Sequence, residues 1–141
     1  MRRWQRDDAG DALLELIILT PVLLALIGLV IAAGRTSVAQ GSVDAAARDA
    51  DRQASIARSP AAALAAAQLS AQAALSQDGL DCTPVVYVAT AGFGSPLGQP
   101  AQVSATVTCT VPLADLIVPG LPGSEMLRST FTSPLDPYRG R

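Results

Sequence analysis

The sequence contains no histidine and no lysine, and all ten of its basic residues are arginine. Aromatic residues make up 4% and charged residues 16% of its 141 positions, while 50% are hydrophobic. Without histidine there is no His-based catalytic triad, and two cysteines alone cannot supply a zinc site of the usual Cys/His kind. The net charge of −2 argues against a surface built to neutralise nucleic-acid phosphates. No cofactor motif is present. The apolar share is mostly Ala, Leu and Val, which favours long helices but buries little area per side chain. A secreted enzyme behind a leader is the weakest reading, because no nucleophile–base pair and no paired carboxylates stand out.

What the sequence does have is one long uncharged run. From Leu16 to Gly34 it reads LIILTPVLLALIGLVIAAG. As a helix, such a run measures about 28 Å, close to the hydrocarbon thickness of a bilayer. It is read as a single membrane span. Arg2, Arg3 and Arg6 precede it and only Arg35 follows closely. That bias predicts a cytoplasmic N-terminus and an extracytoplasmic remainder. The competing reading is a removable secretory signal. The run is long for one, and Ala32–Gly34 resembles a cleavage site only weakly.

Cys82 and Cys109 are the only two cysteines, so one intramolecular pairing exists. An oxidising extracytoplasmic space predicts their disulfide, worth on the order of 3 kcal/mol. The alternative is two free buried thiols.

Glu15 stands at the start of the span, between Leu13–Leu14 and the apolar run. A carboxylate near hydrocarbon is costly, though less so at the interface, where it can simply be solvated. The functional alternative rests on spacing. A cut after Gly10 would free the Asp11 amine and make Glu15 the fifth residue of the mature chain. Glu15 could then pair with the amine of a neighbouring subunit and set the register between packed helices. A small residue at the cut, Glu at the fifth position and a long apolar helix form the pattern of type IV prepilins.

The segment AGDALLELIILTPVLLALIGLVIAAGR resembles the N-terminus of TadE-like proteins, the pilin-like subunits of tight-adherence (Flp-type) pilus systems. Gly10, Glu15, Pro21 and Arg35 carry the resemblance, and CTVPLADLIVPGLPG with SPLDPYRGR is a looser C-terminal likeness. The resemblance implies a leader cut by a prepilin peptidase, membrane residence and a part in pilus assembly or secretion. The implied partners are other pilin-like subunits and an assembly platform. A proline at position 21 also fits the family; from the residue alone it frees the Ile17 carbonyl and can kink the helix without any role. The non-family alternative is an unprocessed, single-pass anchored binding module of the cell envelope.

Beyond Arg35 the helical pattern continues to Ser59. Val43, Ala46, Ala47, Ala50, Ala54 and Ala57 form one narrow stripe. Asp44–Arg48 and Asp49–Arg52 have the spacing of supporting ion pairs on the wet side. Ser59 and Pro60 predict a cap and a restart. The second helix then places Leu64, Ala67, Ala71, Ala74 and Leu75 on one face, and Gly79 stops it. Both stripes suit either packing within the chain or packing between subunits.

After Gly79 the period changes to two. Strands are expected at 85–90, 102–111 and 127–133, with Val103, Ala105, Val107, Cys109 and Val111 facing a core. GFGSPLGQP (92–100) reads as a flexible connection without the context of a phosphate loop. The apolar stretch 112–123 reads as a helical turn over the sheet or as an exposed contact surface. Asp78 and Asp81 lack companions for a metal. The end, PYRGR, reads as a loose polar tail.

The expected fold is therefore α+β: a long N-terminal transmembrane helix, a second helix and a small antiparallel β module with one disulfide. Its divisions are a leader at 1–10, a span at 11–34, its outer continuation at 35–59, a second helix at 60–79 and the β module with tail at 80–141.

Overall fold

A computed structural model describes residues 7–117 and 120–138, with side chains from Leu14 onward. Arg2, Arg3 and Arg6, which carry the orientation argument, lie outside the described residues, as do residues 139–141 of the tail.

Helix α1 runs unbroken from Asp7 to Ile56, 50 residues, a rod of about 75 Å. It starts before Asp11 and ends short of Ser59, because Ser59 is taken up as the cap of the next helix. The Ser59 hydroxyl accepts from the Ala62 amide at 3.2 Å, and Pro60 opens α2 (Pro60–Gln77). At the far end Gly79 adopts φ +71°, a left-handed turn that glycine enters without a Cβ penalty. Leu80 N–H then closes onto Leu75 O at 3.0 Å.

Three strands follow: β1 (Val85–Ala89), β2 (Ala101–Pro112) and β3 (Ser124–Leu135), with a four-residue helix α3 (Leu113–Leu116) between the last two. They form one antiparallel sheet in the order β1-β2-β3. The inward side chains of β2 are those the alternation predicts: Val103, Ala105, Val107, Cys109 and Val111 are all buried. Pro134 sits in β3, an edge strand, where a missing donor is tolerated.

The outer half of α1 and all of α2 lie on one face of this sheet. Val43, Ala46, Ala47, Ala50 and Ala54 are fully buried. The small-residue stripe of α1 is thus spent inside the chain. On α2 the buried ridge is Ala63, Ala67, Ala71 and Leu75. Leu64 is not part of it, and Ala74 is only half-buried. A leucine on the alanine ridge would hold the two helices apart. Leu64 instead borders a groove beside Val86 and Tyr87 of β1.

The expected ion pairs Asp44–Arg48 and Asp49–Arg52 do not form among the described residues. Asp44 accepts from the Gln40 amide at 3.1 Å, and the Arg48 guanidinium lies 4.7 Å from the centre of the Phe131 ring. The half-buried aromatic on β3 offers the cation a better site than a solvated carboxylate one helical turn away.

Connection 92–100 is not simply a flexible loop. Ala91–Gly94 forms a turn of 3-10 helix that packs Phe93 against the core, and Gly98 N–H donates to Pro137 O at 3.0 Å. That bond ties the described part of the tail to the β1–β2 connection. The stretch after β2 covers the sheet as a helical turn, with Leu116 buried.

Candidate functional site

Among the described residues, the N-terminal half of α1 is not covered by the rest of the fold. Large apolar side chains from Leu14 to Ile31 stand exposed along it, in contrast to the buried outer half. It is the one helix among the described residues long and apolar enough to cross a membrane.

The sequence-predicted site residues are spread along this rod. Gly10 and Asp11 lie within the backbone of α1, and their side chains are outside the described set. Glu15 follows one turn later and is exposed. Pro21 is accommodated inside the helix. One residue before it, the Thr20 hydroxyl donates to Leu16 O at 2.6 Å, so a side chain supplies a bond to the backbone beside the position where proline removes one. Around Pro21, a shallow apolar hollow of about 360 Å³ is bounded by Leu16, Ile17, Thr20 and Leu24. Glu15 lies about half a turn round the helix from this hollow, and both face outward, where another helix or lipid can meet them.

The two cysteines are far from that surface. Cys82, in the α2–β1 connection, is bonded to Cys109 on the core face of β2, with a Cα–Cα distance of 5.9 Å. It staples the helical layer to the central strand.

A second group of polar residues joins α1 to β3. The Gln40 amide donates to Arg128 O at 3.2 Å, Arg48 covers Phe131, and Ser133 Oγ donates to Asp51 Oδ2. Asp51 is 2% exposed, and its Oδ1 has no partner. Sequence reasoning assigned this carboxylate no role. The signal was present, since Gln40, Asp44, Arg48 and Asp51 recur at steps of four, four and three beside the alanine stripe. A polar line at helical spacing reads as a solvated face until something is known to lie on it.

The resemblance found in the sequence has independent support. Residues 10–52 match the family model described as TadE-like protein. The TadE-like segment covers Gly10, Glu15, Pro21 and Arg35, the whole apolar run, and the outer part of α1 as far as the Asp51 contact with β3. It ends before α2, so the sheet and its disulfide lie beyond the matched residues. No curated protein and no solved structure matches the chain. The TadE-like match points to tight-adherence pilus systems, whose TadE-like components are generally not enzymes.

Proposed function

We propose that this protein is a non-enzymatic, membrane-anchored, pilin-like subunit that takes part in assembling a tight-adherence (Flp/type IV) pilus or a related secretion filament. The observation that carries the reading is the TadE-like match over a helix whose inner half is apolar and unpartnered while its outer half is bound to a folded module. In this reading residues 1–10 are a cytoplasmic leader and 11–34 span the membrane. Residues 35–59 and 60–79 continue the helical layer outside, and 80–141 form the exposed β module.

The mechanism is mechanical. A prepilin peptidase cuts between Gly10 and Asp11 and leaves an α-amine on Asp11. Glu15, one turn away, pairs with the amine of a neighbouring subunit. Pairing offsets the cost of holding both charges near hydrocarbon, and it sets the axial register of the packed rods. The surface around Pro21 allows a neighbour to approach. Because the alanine stripe is already used against the sheet, contacts between subunits fall to the inner half of α1 and to the outer faces of the module. Partners are other pilin-like subunits and the assembly platform.

The N-terminal residue of the membrane-extracted protein tests processing. An Asp11 start is expected, and an intact Met1 start in cells containing the peptidase leaves only an unprocessed anchored module. Glu15→Val is expected to insert normally and to abolish filament assembly; normal pili in that variant would refute the proposed pairing.

A further inference from the structure

The polar contacts between α1 and β3 act as a ruler. Gln40 meets Arg128 and Asp51 meets Ser133, so strand and helix run in the same direction. The strand interval Arg128–Ser133 and the helix interval Gln40–Asp51 both measure about 16 Å. The two elements therefore stay level along their shared length. Counting back from Arg128, Met126 stands level with about Thr36, and Ser124 with about Ile31. The structure agrees at two points. Met126 and Leu127 line a cavity of about 660 Å³ together with Ala33, Thr36 and Gln40. Ala32 is 9% exposed, although Ile31, Ala33 and Gly34 beside it are exposed.

The uncharged run ends at Gly34. The described residues next to the start of β3, Gly123 and Leu121, with Leu113 N–H closed onto Gly123 O at 3.0 Å, thus stand at or below the level where α1 leaves the apolar region. The surface there suits that level. Leu121 is 42% and Met126 66% exposed. The run from Leu16 has no slack to raise the module, because its helical length of about 28 Å barely fills a hydrocarbon core of about 30 Å. Lifting the module by one turn would draw Glu15 into lipid.

We infer that the exposed rim formed by Leu121 and by Met126 at the start of β3 rests in the headgroup–acyl boundary of the leaflet from which α1 emerges, giving the module a second contact with the membrane. This rests on the reading of α1 as a membrane span. Contact is shallow, since the exposed carboxylates of Asp115 and Glu125 at the same end belong among headgroups and resist deeper entry. A subunit leaving the bilayer for a filament must withdraw this patch as well as its helix.

Depth-dependent quenching tests the inference. Full-length protein with Cys82–Cys109 oxidised is labelled with an environment-sensitive fluorophore at Leu24→Cys, Leu121→Cys, Met126→Cys or Thr132→Cys and placed in vesicles containing shallow or deep nitroxide lipids. The Leu24 probe is expected to be quenched by the deep lipid. The Leu121 and Met126 probes should be quenched by the shallow lipid at least twofold more than the Thr132 probe. Equal quenching at 121, 126 and 132, with Leu24 still quenched, overturns the second contact and leaves the span standing. An unquenched Leu24 probe overturns the span and, with it, the contact. Shielding of 121 and 126 from aqueous iodide without nitroxide quenching assigns the patch to a protein partner and overturns the lipid contact.

Discussion

Asp51 is a buried carboxyl group, and one hydroxyl accounts for its hydrogen bonding. A buried carboxyl group left without its partner costs more than the hydrogen bond returned. Ser133→Ala is therefore expected to destabilise the module by about 2–3 kcal/mol, read as a lower thermal midpoint of the detergent-solubilised chain. Adding Asp51→Ala should recover part of that loss, because the orphaned polar group disappears with its partner. A double variant as damaged as the sum of the singles would contradict the coupling. Gly92 makes a different demand. A Cβ there would overlap the Gln102 carbonyl oxygen and press on Leu135. Gly92→Ala should cost about 1–3 kcal/mol as the turn is forced off β2, measured by the same melt. Neither residue was legible beforehand. Asp51 looked like one more polar residue on a helix, and Gly92 like a loop glycine, because their constraints come from strands that are distant in sequence.

At the scale of elements, the break between the two helices, the stop of α2 and the strand alternation were legible because they are set locally. Ser59–Pro60 caps and starts α2 whatever lies around it, and Gly79 ends it. The period-two pattern of β2 named its buried face correctly, Cys109 included. The face of α2 was read one position off at its start, with Leu64 in place of Ala63. Hydrophobic size suggested the leucine, but close helix–helix contact selected the alanine. The disulfide belongs to this scale too. It joins residues 27 apart, and closing a loop of that size is worth about 3.5 kcal/mol in the unfolded-chain model. Reduction is expected to lower the unfolding midpoint of the module while leaving the apolar half of α1 in the membrane. An unchanged melt after reduction would show that the helix–sheet interface alone carries the module.

For the whole molecule, the division of labour along α1 is the feature with consequences. One rod is apolar and bare for its first half and bound to a sheet for its second. In the proposed function the bare half is covered by lipid in the membrane and by other rods in a filament, so storage and packing share one surface. The apolar run and the pattern Gly10, Glu15, Pro21 were visible without any coordinates, because length, charge and spacing along one helix are properties of the chain itself. The composition, without histidine or lysine, likewise set aside His-based chemistry. Which surfaces of the chain remain available to a partner was decided only in three dimensions. The alanine stripes suited neighbours inside or outside the chain equally well, and the sheet claimed them. The height of the start of β3 against the end of the apolar run was decided there as well, by contacts between residues more than eighty positions apart. Periodicity states which face of an element wants cover; only tertiary packing states what covers it, because the covering side chains come from elsewhere in the sequence.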